Sequence, residues 1–243
     1  HVFTVPGIED LMSGKVAINA MRPVDIEDLL GREPVQIDTA HVHHMITGKT
    51  VLITGAGGSI GSELCRQLAR FAPARLVLFE ASEFALYNIE QWFRVHKPET
   101  QIVPLAGDVK DAARLDEIFS TWKPQLVFHA AAYKHVPLME VANAWQAVRN
   151  NVLGTLLVAA HAQRHGAERF VLISTDKAVN PTNVMGATKR LAEMACEALH
   201  TSGKGDTQIE MVRFGNVLGS TGSVIPKFAE QIARGGPVTV THP

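Results

Sequence analysis

The chain has 243 residues, of which 46% are hydrophobic, enough to bury a full core as one large domain or as one domain with pieces of another. Its 23 Lys and Arg residues balance 24 Asp and Glu residues, which gives no support for a nucleic-acid-binding surface. No apolar run approaches the roughly 18 residues of a membrane helix, and the first residues lack the pattern of a signal peptide. We therefore expect no nucleic-acid partner and no membrane contact from these residues.

The cysteine and histidine patterns favour no metal site. Cys65 and Cys196 lie in apolar stretches without CxxC spacing, so we interpret them as reduced, buried thiols of a cytoplasmic domain. His41, His43 and His44 lie in a linker-like stretch, and we interpret this cluster as exposed polar surface rather than a zinc site.

Residues 1–48 differ from the rest of the chain in their density of proline and glycine, which interrupts any long element. We interpret them as a linker with one or two short helices, for example over residues 25–30. An ordinary N-terminal arm packed on the next domain is the alternative. The chain ends at Pro243 without a helix or cap to close it, so we expect a fragment of a longer protein.

From residue 50 onwards, apolar strands alternate with amphipathic helices. Strands are predicted over residues 50–54, 75–80, 101–105, 126–130, 170–174 and 208–214. Helices are predicted over residues 59–70, 83–96, 111–122, 144–165 and 186–199. This alternation predicts an α/β fold of Rossmann type, with a parallel sheet covered by helices on both faces, and we place the domain at residues 49–215.

A glycine-rich turn connects the first strand to the first helix of this domain. Gly55, Gly58 and Gly61 have the spacing G-x-x-G-x-x-G. The first glycine permits a tight turn, the second lets the backbone approach a pyrophosphate, and the third lets the helix pack close to the sheet. The N–H groups and dipole at the helix start near Ser59 favour phosphates, so the turn predicts a dinucleotide site.

Acidic and small residues follow the next three strands at the same edge of the sheet. Glu80 lies about 20 residues beyond the last glycine, where a carboxylate accepts both ribose hydroxyls and repels a 2′-phosphate. It therefore favours NAD over NADP, with capping of the following helix as its alternative role. Asp108, followed by Val109, is placed to meet the adenine amino group. The fourth strand ends in small side chains that let the cofactor lie against the backbone: Ala130, Ala131 and Ala132.

Several separated motifs resemble the extended short-chain dehydrogenase/reductases. They comprise the turn from Thr54 through Ile60 to Gly61, the three alanines, the N-x-x-G-T of residues 151–155, and Lys189. The sequences HAAAYKHVPLME, STDKAVNP and RFGNVLGS at residues 129–140, 174–181 and 213–220 resemble the nucleotide-sugar 4,6-dehydratases of polysaccharide biosynthesis. The resemblance covers residues 50–243. It implies bound NAD, a UDP-sugar substrate such as UDP-N-acetylglucosamine, and cofactor contacts from Thr54, Ser59, Ile60 and Lys189.

The resemblance also implies a reaction: oxidation at carbon 4, elimination of water across carbons 5 and 6, and reduction at carbon 6. It assigns Asp176 as the acid for the departing hydroxyl and Lys177 as the base at carbon 5. Desolvation must then keep the lysine partly neutral. A surface Asp–Lys pair of little importance is the alternative interpretation.

One position departs from the wider family, which uses a Tyr-x-x-x-Lys pair. Lys189 supplies the lysine, but Met185 occupies the tyrosine position one helical turn before it. A thioether cannot accept the first proton. Large members of the subgroup also carry methionine there, and Thr175 and Asp176 are the candidates for that base. The alternative is a domain that binds cofactor without turnover.

The resemblance implies substrate contacts as well. Lys134 and His135 would lie near the sugar. Residues 216–243 would begin an incomplete substrate-binding region, in which the diphosphate and uridine meet Asn216, Ser220, Ser223, Val224 and Ile225. The alternative is that the polar side chains at these positions contact no substrate and only form hydrogen bonds with the backbone of their own loop.

The N-terminal stretch resembles the joint that precedes the catalytic domain in large, membrane-anchored members. The similarity covers residues 5–7 (VPG) and 22–32 (RPVDIEDLLGR), and it implies a longer protein anchored in the bacterial inner membrane. Family members usually assemble through helices of this domain, so we expect a homo-oligomer. Two other functions stay open: a nucleotide-sugar epimerase, which needs no elimination pair, and a non-catalytic dinucleotide-binding sensor or scaffold.

Overall fold

The computed structural model describes residues 39–202, 205–215, 217 and 224–240, together with the backbone of residues 3–4 and 22–23. The strands Phe3–Thr4 and Arg22–Pro23 pair antiparallel. The chain divides into two compact units, His1–Thr39 and Ala40–Pro243. The predicted helix over residues 25–30 lies outside the described residues.

The second unit is built on one six-stranded sheet. Its strands are β1 (Thr50–Thr54), β2 (Arg75–Glu80), β3 (Ile102–Ala106), β4 (Leu126–His129), β5 (Arg169–Thr175) and β6 (Gln208–Phe214). They are all parallel, in the order β3-β2-β1-β4-β5-β6. The order reverses between β1 and β4, and ligands of such folds bind at the carboxyl edge of this switch point.

Helices connect the strands. They are α1 (Thr39–Ile46), α2 (Ser59–Leu68), α3 (Glu83–His96), α4 (Ala112–Trp122), α5 (Val136–Met139), α6 (Ala144–Ala147), α7 (Thr155–Arg164), α8 (Val184–Thr201) and α9 (Val224–Ala233). The predicted long helix over residues 144–165 is a continuous helical run in which the π-helix Val148–Gly154 separates α6 from α7. Such π segments are frequent at functional sites.

Two apolar layers cover the two faces of the sheet. On one face, Leu52, Val77 and Phe170 pack with residues of α4, α7 and α8. On the other face, Val51 and Ile53 pack with residues of α1, α2 and α3. Successive residues of each central strand are therefore buried on opposite sides, which is why the strands are continuously apolar. The predicted Rossmann-type fold, with helices on both faces of a parallel sheet, is confirmed.

The sheet domain begins earlier than the predicted boundary at residue 49. Ile46 of α1 is 1% exposed and packs in the same cluster as the first strand. His41, His43 and His44 are exposed on this helix, as expected. Three histidines in eight residues hide the helical pattern of the apolar positions, so the sequence indicated a linker there.

Both cysteines are buried and free, which confirms the interpretation of Cys65 and Cys196 as reduced thiols. Burial raises the pKa of each thiol above its usual range. None of the helices in the described part of the chain is both long and apolar enough to span a membrane.

Candidate active site

The glycine-rich turn has the geometry that its spacing predicts. Gly55 has φ +66°, and a Cβ added there would lie 2.7 Å from the backbone nitrogen of Ala131. A Cβ at Gly61 would overlap the carbonyl oxygen of Gly55. Gly58 is the N-cap of α2 and offers no side-chain cap, so backbone N–H groups stand at the head of this helix. Gly57, which the prediction omitted, has room for no side chain beside Ala85.

The Glu80 carboxylate lies against this turn at the end of β2. Its Oε2 accepts a hydrogen bond from the Gly57 N–H at 3.0 Å, and its Oε1 accepts from the Ser82 N–H at 3.0 Å. Ser82 itself is the side-chain cap of α3, since its hydroxyl accepts from the Ala85 N–H. Glu80 therefore braces the glycine turn, while each carboxylate oxygen keeps a lone pair for a further donor.

Asp108 follows β3 and is held in its ionised form. The Lys110 ammonium lies 2.8 Å from Asp108 Oδ2 and also donates to Asn150 Oδ1 at 3.2 Å. Burial alone would raise the pKa of Asp108, but hydrogen bonds from the side chain and backbone of Lys110 outweigh it and lower that pKa. A carboxylate acceptor thus stands where the sequence placed an adenine contact.

These groups enclose a crevice of about 240 Å³ at the carboxyl edge of the sheet. Eight of its lining residues were predicted cofactor contacts: Gly55, Gly58, Glu80, Asp108, Val109, Ala130, Ala131 and Ala132. Seven were not: Gly57, Phe79, Ala81, Ala85, Gly107, Tyr133 and Asn150. Backbone donors, two carboxylates and small side chains fit the adenosine and diphosphate portion of a dinucleotide.

Thr54 and Lys189, also predicted as cofactor contacts, do not line this crevice, and neither do the predicted contacts Ser59, Ile60 and Gly61 at the start of α2. Thr54 is fully buried, and its Oγ1 lies 2.7 Å from His129 Nδ1. The Thr155 hydroxyl donates to the Asn151 carbonyl at 2.6 Å, so it accepts from His129 Nε2 at 2.9 Å. The imidazole is then neutral with its proton on Nε2, and Thr54 donates to Nδ1. Burial, followed by the charge of Lys189, lowers the pKa of His129 to about 3.

Asn151 holds the segment that follows β4. Its Oδ1 accepts from the Tyr133 N–H at 2.8 Å, and its Nδ2 donates to the Tyr133 carbonyl at 3.0 Å and to Thr188 Oγ1 at 3.1 Å. Lys134 and His135 come next and are exposed beside the crevice. The asparagine of the N-x-x-G-T motif therefore fixes the backbone of the loop that carries two predicted substrate contacts.

The predicted catalytic residues at the end of β5 form a hydrogen-bonded row. Thr175 Oγ1 donates to Asp176 Oδ1 at 3.0 Å, and Lys177 Nζ donates to the same oxygen at 3.1 Å. Burial tends to raise the pKa of Asp176, but the hydrogen bonds from Lys177 and Thr175 outweigh it and lower that pKa. The side chains of Asp176 and Lys177 are 53% and 37% exposed, so the row is open to a ligand.

Helix α8 brings Lys189 and Met185 to the same edge. The Lys189 side chain is buried, and its ammonium donates to the Ile173 carbonyl at 2.6 Å. Burial lowers the pKa of Lys189 to about 8. Met185 is buried in a small apolar cluster with Met139 and Ala147. A side chain at Gly186 would overlap the Lys177 carbonyl, so glycine lets α8 lie directly on the turn of residues 175–177.

The remaining predicted substrate contacts are only partly visible. Asn216, Ser220 and Ser223 lie outside the described residues, and Val224 and Ile225 are described only as the start of α9. Within the residues that the structure describes, no three His, Cys, Asp or Glu side chains are grouped to hold a metal ion.

The comparisons with known proteins agree with this geometry. The family model described as polysaccharide biosynthesis protein matches residues 51–243. The chain belongs to this family. The chain is 51% identical over 244 residues to the capsular polysaccharide biosynthesis protein CapD of Staphylococcus aureus, covering 100% of this chain and 40% of that relative. The chain therefore spans less than half the length of CapD.

Two further relatives carry the names of specific enzymes. The chain is 34% identical over 203 residues to a UDP-N-acetylglucosamine 4,6-dehydratase (inverting) of Campylobacter jejuni, covering 82% of this chain and 59% of that relative. It is 34% identical over 204 residues to a UDP-glucose 4-epimerase of Rickettsia rickettsii, covering 82% of this chain and 58% of that relative. These two relatives are thus named as a nucleotide-sugar dehydratase and a nucleotide-sugar epimerase.

Solved structures share the fold. Pen from Bacillus thuringiensis matches with a TM-score of 0.74 at 35% identity, over 81% of this chain and 61% of that chain. A dTDP-glucose 4,6-dehydratase, the DesIV double mutant from Streptomyces venezuelae with NAD bound, matches with a TM-score of 0.65 at 23% identity, over 77% of this chain and 63% of that chain. The second likeness shows a shared fold with a protein that binds NAD.

Proposed function

We propose that this chain is the catalytic part of an NAD-dependent 4,6-dehydratase that acts on UDP-N-acetylglucosamine in surface polysaccharide biosynthesis. The observation that carries the proposal is the row of Thr175, Asp176 and Lys177. An acid and a base stand side by side at the carboxyl end of β5, near the switch point where the dinucleotide crevice lies. Elimination of water requires such a pair, whereas simple oxidation does not.

The lining of the crevice supports NAD as the proposed cofactor. Bound NAD would supply a hydride acceptor for carbon 4 of the sugar and return the hydride to carbon 6. The Gly55–Gly61 turn would hold its diphosphate, Asp108 its adenine amino group, and Lys189 its nicotinamide ribose. Glu80 would accept the adenosine ribose hydroxyls and repel a 2′-phosphate, which makes NADP a poorer ligand.

The catalytic row also suggests a path for the first proton. Asp176 is ionised here and accepts from Thr175, so the proton of the carbon 4 hydroxyl can reach Asp176 through the Thr175 hydroxyl. Asp176 is then protonated and can give that proton to the hydroxyl departing from carbon 6 as water. Lys177 takes the proton from carbon 5 and later returns one. To take that proton, Lys177 has to enter the step as the neutral amine.

The Met185 position supports the same assignment. Met185 takes no part in proton transfer, because a thioether cannot accept the proton and its side chain is buried with Met139 and Ala147, which leaves the Thr175–Asp176 pair as the candidate base. The same burial fits the competing proposal of a dinucleotide-binding sensor without turnover. Calorimetry that finds NAD binding but no UDP-sugar binding to the full-length protein would favour the sensor.

An epimerase is the second candidate, since epimerases are among the relatives. The variant Lys177→Met separates the two enzymes in the full-length protein. A dehydratase loses formation of the 4-keto-6-deoxy product, because no base removes the carbon 5 proton, while an epimerase keeps its turnover. Lys97→Met is the matched control, because Lys97 is a comparably exposed lysine in an ion pair with Glu99. Unchanged turnover in Lys177→Met would contradict the dehydratase.

We also propose that the protein forms a homo-oligomer through α8 and the helical run over residues 144–164. Large apolar side chains are exposed at helical spacing on both: Trp145, Leu153, Leu156, Leu191 and Met194.

The full-length protein would be anchored at the inner face of a bacterial inner membrane through segments outside this chain. Analytical ultracentrifugation and membrane fractionation test these two proposals.

A further inference from the structure

Glu193 is a buried carboxylate that the proposed chemistry does not use. It is fully buried on α8, one helical turn after Lys189. Burying an ionised carboxylate is costly unless its oxygens are fully paired. Burial would raise the pKa of Glu193, but hydrogen bonds from Arg213, Ser174 and Arg190 outweigh it and lower the pKa to about 2. The carboxylate is therefore charged, and its partners explain how it tolerates burial.

Four hydrogen bonds satisfy this carboxylate. Ser174 Oγ donates to Oε1 at 2.6 Å, and Arg213 donates from Nε to Oε1 at 3.0 Å and from a terminal nitrogen to Oε2 at 2.7 Å. Arg190, on the same helix, donates to Oε2 at 3.1 Å. The pairing with Arg213 is bidentate, which fixes direction as well as distance.

The two partners outside the helix occupy matched positions. Ser174 and Arg213 are directly opposite each other in the register of β5 and β6. Thr175, Asp176 and Lys177 follow the first, and the segment of the predicted substrate contacts follows the second. Glu193 thus joins α8 to the second-to-last residue pair of the two strands whose ends carry the candidate chemistry.

A second contact runs beside this one. Lys189 donates to the carbonyl of Ile173, the residue before Ser174 in β5. Two side chains one turn apart on α8 therefore grip two consecutive residues of one strand. A shift of α8 along β5 would have to break both contacts, so the height of Lys189 relative to Asp176 is set by this pair of contacts.

We propose that Glu193 is a positioning residue that holds the catalytic row and the start of the substrate segment in place against α8. The proposal rests on the proposed dehydratase function. Glu193 touches neither the crevice nor the catalytic row, so it acts through Ser174 and Arg213. A neutral side chain at this position loses the ion pair with Arg213 and part of the hydrogen bonding with Arg213 and Ser174. The ends of β5 and β6 then lose their shared contact with α8.

The test compares Glu193→Gln with Glu197→Gln in the full-length protein. Glu197 is the next turn of the same helix, also meets Arg190, and is half exposed, which makes it a matched control. We expect Glu193→Gln to lower kcat for UDP-N-acetylglucosamine about 100-fold, because a small misplacement of reacting groups suffices for that. KM and the Kd for NAD should stay within about threefold, the pattern of a lost transition-state contact. Glu197→Gln should match the wild type.

Hydrogen–deuterium exchange supplies a readout that needs no turnover. We expect faster exchange in Glu193→Gln at residues 174–177 and 213–215, and wild-type exchange in Glu197→Gln. If the wild type turns over and the folded Glu193→Gln keeps its kcat within about twofold, the proposal is overturned. If the wild type does not turn over, the proposed function fails and the exchange data alone decide the anchoring role. If Glu193→Gln does not fold, Ser174→Ala decides: faster exchange supports the anchor, and wild-type exchange overturns it.

Discussion

The substitution Gly55→Ala tests the proposed phosphate-binding turn by adding a single methyl group. Gly55 has φ +66°, a conformation that costs an alanine about 1 kcal/mol. The new Cβ would also lie 2.7 Å from the Ala131 nitrogen and 2.8 Å from the Ala131 Cα. These are backbone atoms that have to move, and overpacking of this kind costs about 1–3 kcal/mol. The expected loss of stability is therefore about 2–4 kcal/mol.

A matched control separates the two contributions. Gly48 has φ +73° and no heavy atom within 4 Å of the added Cβ, so Gly48→Ala measures the backbone term alone. Chemical denaturation of both variants gives the difference, which we attribute to contact with Ala131. Calorimetry with NAD should show binding at least about tenfold weaker in Gly55→Ala, since one shifted turn loses more than about 1.4 kcal/mol. Equal stability losses and unchanged NAD affinity in the two variants would refute the geometry of the turn.

Three further predictions follow from other contacts. Glu80→Ala should weaken NAD binding about tenfold and remove the discrimination against NADP, measured by calorimetry with each dinucleotide. Gly186→Ala should push α8 away from the Lys177 carbonyl, which lowers kcat in a turnover assay, while the Kd for NAD rises by less than about tenfold, since only the Lys189 contact moves with α8. The buried, neutral His129 has a folded pKa of about 3, so the unfolded state binds its proton first as the pH falls. Wild-type stability should therefore drop by about 2 kcal/mol more between pH 7 and pH 5 than that of His129→Gln.

Each of these predictions has a contradicting result. If Glu80→Ala prefers NAD over NADP as strongly as the wild type does, the carboxylate only braces the glycine turn and does not bind the ribose. Loss of NAD binding in Gly186→Ala would mean that the shift of α8 disrupts the proposed cofactor site more than the turn of residues 175–177. If the free energy of unfolding depends on pH in the same way in the wild type and in His129→Gln, this imidazole takes up no proton when the protein unfolds.

Much of the fold follows from local patterns in the sequence. Strands over residues 50–54, 75–80 and 208–214 and the helix over residues 83–96 have the predicted bounds, because apolar runs end at clear turn or capping residues. The crevice was predictable for the same reason. Parallel strands end at one edge, so Gly55, Glu80, Asp108 and the three alanines had to converge there.

The missing parts depend on contacts between distant segments. The π-helix Val148–Gly154 has no local signature, and it places Asn151 against Tyr133, 18 residues away. The hydrogen bonds that stabilise the buried Glu193 carboxylate come from two strands and from its own helix. The pattern of a single sequence therefore shows only a glutamate on a helix. His129 is similar: its neutral state follows from complete burial, which the strand-end position alone does not reveal.

The most direct test of the dehydratase is to incubate the full-length protein with UDP-N-acetylglucosamine and NAD in heavy water. Removal and return of a proton at carbon 5 through Lys177 predicts a product that has lost one water and carries deuterium at carbon 5, with no net consumption of NAD. Mass spectrometry and NMR of the sugar read both changes. A product of unchanged composition, with its configuration inverted at carbon 4 and no deuterium at carbon 5, would contradict the account and identify an epimerase.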